Sequence, residues 1–116
     1  MTLTLYGIPN CDTVKKARAW LDQRGIAYTF HDYKKQGADA ARIGGWIGQA
    51  GLAKIVNKAG TTYRKLAPDD QAALADPVTA PGVLAAHPSV IKRPVVEYPG
   101  GILVGFKEPA WSAALG

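Results

Sequence analysis

The chain holds a single cysteine and only two histidines in 116 residues. One cysteine excludes an intrachain disulfide and a cysteine-based zinc site, and it fits a reducing compartment. A dithiol oxidoreductase would carry its second cysteine where Val14 stands, so any disulfide formed by Cys11 has to be with another molecule. No apolar run approaches the roughly 20 residues that span a bilayer. Nor does the N-terminus show a basic segment followed by a long apolar one. A cytoplasmic protein without a membrane partner is expected. Blocks of like charge are missing too: 14 Lys and Arg against 9 Asp and Glu give a net charge of +5, with the basic residues scattered in ones and twos. Without a basic tail or stripe, nucleic acid is not an expected partner; a weakly positive surface that attracts small anions is the plainer reading. No repeat, low-complexity stretch or interdomain linker interrupts the chain, and no metal site is expected.

What is present is the composition of one globular domain, 47% hydrophobic and 20% charged, large enough to bury a single core. Its organising stretch is Tyr6-Gly7-Ile8-Pro9-Asn10-Cys11-Asp12-Thr13-Val14-Lys15-Lys16. Leu3 and Leu5 alternate with Thr2 and Thr4 as a strand, and Val14, Ala17 and Leu21 then repeat at helical spacing with Gly25 as a stop. Cys11 therefore falls at or just before the first helical turn. Backbone N–H groups there lack intrahelical partners, and with the helix dipole they favour an anion such as a thiolate. Lys15 and Lys16 add positive charge, Asp12 opposes it slightly, and the turn residues Gly7, Pro9 and Asn10 point to partial exposure of the sulfur.

Ile26, Tyr28 and Phe30 alternate as a second strand, which makes a βαβ unit with parallel strands and a right-handed crossover. Asp39 caps a helix carrying Ile43, Trp46, Ile47 and Ala50 up to Gly51, and a short helical turn is expected within Leu52 to Asn57. Gly60 to Arg64 reads as a loop, Pro68 opens a helix through Leu74, and Pro81 opens another through Ala86. Val95, Val96 and Tyr98 turn at Pro99-Gly100-Gly101 into Ile102, Leu103 and Val104, and Pro109 starts a closing helix with Trp111 and Leu115. The three tryptophans read as packing residues, and His31 as an ordinary histidine. The order βαβ, helices, ββα is that of an α/β thioredoxin-like fold with a mixed sheet and a helical insert at about 38–87.

Together with the thiol turn, Ile91-Lys92-Arg93-Pro94-Val95-Val96, His31-Asp32-Tyr33-Lys34, Asn57 to Leu66 and Leu103-Val104-Gly105-Phe106 resemble the ArsC family, the thioredoxin-fold arsenate reductases that also include Spx-like and YffB-like proteins. The resemblance covers nearly the whole chain and is nearest to the YffB-like branch. It implies that Cys11 is the nucleophile, that Pro94 is a cis-proline whose loop faces the thiol, and that Arg93 brings positive charge beside it. Arsenate reductases of this family surround the oxyanion with three arginines. Here only Arg93 falls on such a position; the second falls at or near Asn57 and the third at or near Phe106, which argues against arsenate as the main substrate. Arg64 could supply a replacement cation from another point of the chain.

The expectation is a monomeric thiol-dependent reductase in which Cys11 is catalytic and Arg93, Pro94, Arg64, Lys15, Asn10 and Asn57 bind substrate, with no bound cofactor. Glutathione is the expected co-substrate, or a glutaredoxin-type reductant, because the chain lacks a resolving cysteine. Arsenate reduction and Spx-like binding of RNA polymerase are the alternatives that the resemblance implies.

Overall fold

A computed structural model describes residues 3–116; the expectation for Thr2 lies outside the described residues. The chain forms two compact units, one made of residues up to Gln36 with Arg93–Gly116, the other of Gly37–Lys92.

The first unit is built on a four-stranded mixed sheet. Strands β1 (Thr4–Gly7), β2 (Thr29–Asp32), β3 (Val95–Tyr98) and β4 (Gly101–Val104) stand in the order β2-β1-β3-β4. The pair β1 and β2 is parallel, and β3 runs antiparallel to both β1 and β4. Helix α1 (Asp12–Gln23) makes the crossover between the parallel strands. The second strand begins later than Ile26: Ile26 and Tyr28 pack beside the core, and the ladder starts at Thr29. Alternation along β1 and β3 divides the sheet faces. Leu3, Leu5 and Val96 face Val14, Ala17, Trp20 and Leu21 of α1 and Trp111 of the last helix, α8 (Glu108–Leu115). Tyr6 and Glu97 take the opposite face, where the Tyr6 hydroxyl donates to Glu97 Oε1 at 2.7 Å.

A one-turn helix, α2 (Tyr33–Gln36), follows β2 directly. It has no apolar periodicity and was not expected from sequence. Its start is polar: Asp32 Oδ1 accepts from the Lys34 N–H at 2.9 Å, and Gln36 Oε1 accepts from the Asp32 N–H at 3.2 Å. Both bonds serve the N-terminus of the helix, where the Asp32 side chain takes one free N–H and the Gln36 side chain reaches back to the Asp32 N–H.

The second unit holds α3 (Ala40–Ala50), α4 (Leu52–Ile55), α5 (Thr61–Lys65), α6 (Pro68–Ala73), α7 (Ala80–Ala86) and a 3₁₀ turn at Pro88–Val90. Asp39 caps α3, accepting from the Arg42 N–H at 3.1 Å, and the helix runs through Gly44 and Gly45. Helix α3 packs on α7 around buried Ile43, Trp46, Ile47, Ala80 and Leu84. The stretch read as a loop at Gly60 to Arg64 is largely α5; Gln71 Nε2 ties it down by donating to the Tyr63 carbonyl at 3.0 Å, a contact outside any local window. A bridge between Val56 and Ile91 closes the unit.

Trp111 links the core of the first unit to the proline loop. Its indole N–H donates to the Gly105 carbonyl at 3.0 Å, and the Gly105 N–H donates to the Pro94 carbonyl at 2.8 Å. Gly105 does this at φ +75, a conformation that costs a residue with a Cβ about 1–2 kcal/mol. Gly105→Ala should therefore lower unfolding free energy by about that amount in urea titrations; an undiminished midpoint would show that the turn relaxes without cost.

Candidate functional site

Strand register aligns one residue from each strand across the end of the sheet. Gly7 pairs with Asp32. The antiparallel register pairs Tyr6 with Val95, so Pro94 continues β3 to a position opposite Gly7. Gly105 stands next in line through its bond to Pro94. Immediately past this row lie Tyr33, the Ile8–Cys11 loop, Arg93 and Phe106, one from each strand. The thiol loop of β1 is thus flanked by Tyr33 on the β2 side and Arg93 on the β3 side. The Arg93-Pro94 peptide is cis.

Gly7 makes the tight approach of α1 possible. A Cβ there would lie 2.9 Å from Val14 Cγ2, closer than side-chain carbons approach, so the first turn of α1 can settle onto the end of β1 only over a glycine. Cys11 occupies the N-cap of α1 with extended backbone (φ −142, ψ 124) and makes no side-chain capping bond. Its carbonyl accepts from the Lys15 N–H at 2.9 Å. Serine, threonine and aspartate usually fill this position because their oxygen accepts from free N–H groups of the first turn. Here a sulfur stands in that position, at the end of the helix where the dipole is positive. The sulfur is half-buried against the Leu5 and Val14 cluster, so one side is packed and the other is open to a reaction partner.

Asn10 and Lys15 are exposed beside Cys11 in sequence, Arg93 is half-buried and Pro94 is buried; these five belong to the first unit. Asn57 and Arg64 belong to the second. The Asn57 N–H donates to the Val90 carbonyl at 2.7 Å, and Arg64 Nη2 donates to the Ala59 carbonyl at 3.1 Å from an exposed position. Phe106 is an aromatic packing residue: its ring meets Trp111 edge-on at 4.9 Å and Trp20 at 6.3 Å.

One residue that sequence reasoning passed over is Tyr33. It is 4% exposed, with ring centroids 5.7 Å from His31 and 6.4 Å from Tyr6. Its signal in the sequence was its place in the His31-Asp32-Tyr33-Lys34 segment that resembles the family. Burial drives its phenol well above the ordinary tyrosine range, Tyr6 and Glu97 push the same way, and Arg93 opposes them.

A family model for the ArsC family matches residues 6–114. The chain belongs to the ArsC family. An uncharacterised protein of Haemophilus influenzae is 43% identical over 112 residues, 97% of each chain. Among solved structures, the YffB protein superposes with a TM-score of 0.93 at 49% identity, covering 98% of this chain and 99% of that one. An arsenate reductase related protein from Brucella melitensis gives 0.74 at 46% identity, covering 98% and 94%. The global transcriptional regulator Spx of Staphylococcus epidermidis is 27% identical over 109 residues, 91% of this chain and 81% of its own. The α/β thioredoxin-like fold of this ArsC-family chain is shared with these structures. Among the described residues no cluster of His, Cys, Asp and Glu could hold a metal ion, and no helix is long and apolar enough to cross a membrane.

Because the folded state holds Tyr33 protonated above the pH at which an unfolded tyrosine ionises, its contribution to stability is complete below about pH 10 and is lost as the pH rises further. Unfolding free energy should fall above about pH 10, by up to roughly 1.4 kcal/mol per unit for this one group. Tyr33→Phe should flatten that slope in denaturant titrations at pH 9 to 11; an identical slope in the variant would mean that the phenol ionises in place.

Proposed function

We propose that this ArsC-family protein is a monothiol reductase that uses Cys11 as nucleophile and glutathione as the external thiol. The observation that carries the reading is the position of Cys11: at the N-cap of α1, open on one side, and flanked by the Arg93-Pro94 loop. Cys11 as thiolate attacks one sulfur of a glutathione mixed disulfide on the substrate. The Cys11–glutathione S–S bond forms, the substrate S–S bond breaks, and the substrate leaves as its thiolate. A glutathione thiolate then attacks the new disulfide, releasing glutathione disulfide and restoring the Cys11 thiolate. The incoming glutathione sulfur is oxidised and the substrate sulfur is reduced, while the glutathione sulfur of the mixed disulfide stays at the disulfide level throughout, so electrons balance without a second protein cysteine. A glutaredoxin-type protein thiol would serve equally in the last step. Arg93 supplies a charge-assisted donor for the anionic co-substrate, with Asn10 and Lys15 beside the thiol. Arg64 and Asn57 belong to this reading only as expected substrate contacts. A soluble monomer in the cytoplasm fits the glutathione-rich, reducing setting that the reaction needs.

Arsenate is the weaker substrate in this reading, supported by one observation: Phe106, at or near which the family resemblance puts a third arginine, stands in an aromatic cluster. A multiply charged oxyanion needs several cationic donors as it is attacked.

Incubation with glutathione disulfide near neutral pH should produce a single mass adduct on Cys11, absent in Cys11→Ser. Arg93→Ala should slow adduct formation by roughly tenfold or more while leaving alkylation by neutral iodoacetamide unchanged. A wild-type protein that takes no adduct and resists alkylation would end the reading. Arsenate should neither be turned over with glutathione nor protect Cys11 from alkylation; sustained turnover that vanishes in Cys11→Ser would reverse the preference between substrates.

A further inference from the structure

Helix α1 carries a second set of charged residues on the flank that leads away from the thiol. At 3.6 residues per turn, Cys11, Lys15, Arg18 and Asp22 lie within about 60° of one another around the helix axis, and Arg18 stands about 10 Å along it from Cys11. Beside the far half of that flank, a cleft of about 380 Å³ opens between α1 and β2, lined by Arg18, Asp22, Ile26, Ala27, Tyr28 and Phe30. Arg18 is half-buried there and held in one position: its Nε donates to the Tyr28 hydroxyl at 3.0 Å, and its guanidinium carbon lies 4.2 Å from the centre of the Phe30 ring. Its two Nη groups have no acceptor among the described residues, and exposed Asp22, one turn on, forms no ion pair with it. An arginine fixed by its Nε and by one face keeps its outer edge for a carboxylate, which that edge takes with two parallel bonds.

We propose that this flank docks a polypeptide substrate: an extended segment with an acidic residue about three positions from the cysteine that is exchanged at Cys11, its carboxylate seated on Arg18. The substrate class rests on the thiol-exchange reading and narrows it from any mixed disulfide to one selected by charge. The spacing is geometric, since an extended chain advances about 3.3 Å per residue and covers the stretch from Cys11 to Arg18 in about three. Lys15, exposed between the two, adds to the attraction. Asp22, a turn beyond, opposes an anion and favours a basic residue at the far end of the segment. From the thiol outward the flank therefore reads positive, positive, negative, and the partner's order is the reverse. Exposed Asp22 and Ala27 leave the cleft open on its outer side, where β2 is the last strand of the sheet, so a chain enters and leaves without being enclosed. The exchange step is unchanged: the Cys11 thiolate bonds to the glutathione sulfur, the substrate S–S bond breaks, and the docked cysteine leaves as its thiolate.

The test uses short glutathionylated peptides, blocked at both ends, with Glu or Gln about three residues after the cysteine, and a second series with it about three residues before, because either chain direction fits along α1. In at least one series the second-order rate of glutathione transfer to Cys11 should be about fivefold higher for the Glu peptide, and that ratio should fall to about one in Arg18→Gln. Two peptides compared on one protein report the pairing whatever the substitution does to stability, and the wild-type comparison stands even where the variant does not fold. Equal rates for Glu and Gln in both series, or a Glu preference that persists in Arg18→Gln, would overturn the docking and leave exchange at Cys11 standing. Should no transfer reach Cys11 at all, S-methylated versions of the peptides decide. A shift of the Arg18 Nε–H NMR signal with Glu and not with Gln would support the docking and remove the exchange reaction; no shift would overturn both.

Discussion

Strand β1 is bonded on both sides, parallel to β2 and antiparallel to β3, and everything at the thiol depends on that double registration. Side chains on a strand alternate faces, so a slip of one residue in either ladder would carry Leu5 out of the core and Tyr6 into it. The core holds the register: Leu3, Leu5 and Val96 are all fully or almost fully buried against α1 and Trp111. With the register held, Gly7, Asp32, Pro94 and Gly105 line up, and the residues just past them leave the same end of the sheet. The Tyr6–Glu97 bond, between residues 91 apart in sequence, is a polar check on the same alignment from the other face.

Around that alignment the molecule uses small devices to hold one sulfur in one place. Gly7 lets α1 close onto the sheet, and Cys11 takes the capping position where an anion is favoured. Trp111 reaches Pro94 through Gly105, bonding to the carbonyl of the glycine whose N–H holds the proline carbonyl. The indole is 1% exposed, so the loop that bears Arg93 is anchored to the best-packed part of the unit. A site whose groups sit on such anchored elements keeps its geometry without help from a ligand.

In the proposed reading, the family scaffold is turned from one anion to another. Where an oxyanion site needs several cations, this chain keeps Arg93 and puts an aromatic ring at Phe106, edge-on to two tryptophans. Under that proposal, fewer cations and more apolar surface would suit a larger, less densely charged partner such as a thiol peptide, in which charge is confined to separate carboxylates. Membership of the ArsC family settles the scaffold; substrate choice lies in such replacements.

Much of this was legible in the chain itself. The strand-to-helix turn at Cys11, the Asp39 cap, the hairpin at Pro99-Gly100-Gly101 and the proline-led helices are written in windows of a few residues, where periodicity and capping act. The family motif carried the Arg93-Pro94 assignment. The helix at Thr61–Lys65 was misread because a side chain from Gln71 helps to hold it, and α2 because Asp32 and Gln36 define it without any apolar repeat. Only the folded sheet decided that Tyr33 and Arg93 flank the same loop, that Phe106 belongs to an aromatic cluster, and that the Tyr33 hydroxyl has no hydrogen-bond partner among the described residues. Those facts depend on burial and on register between segments some 60 to 90 residues apart, and neither quantity is a property of a local stretch of chain.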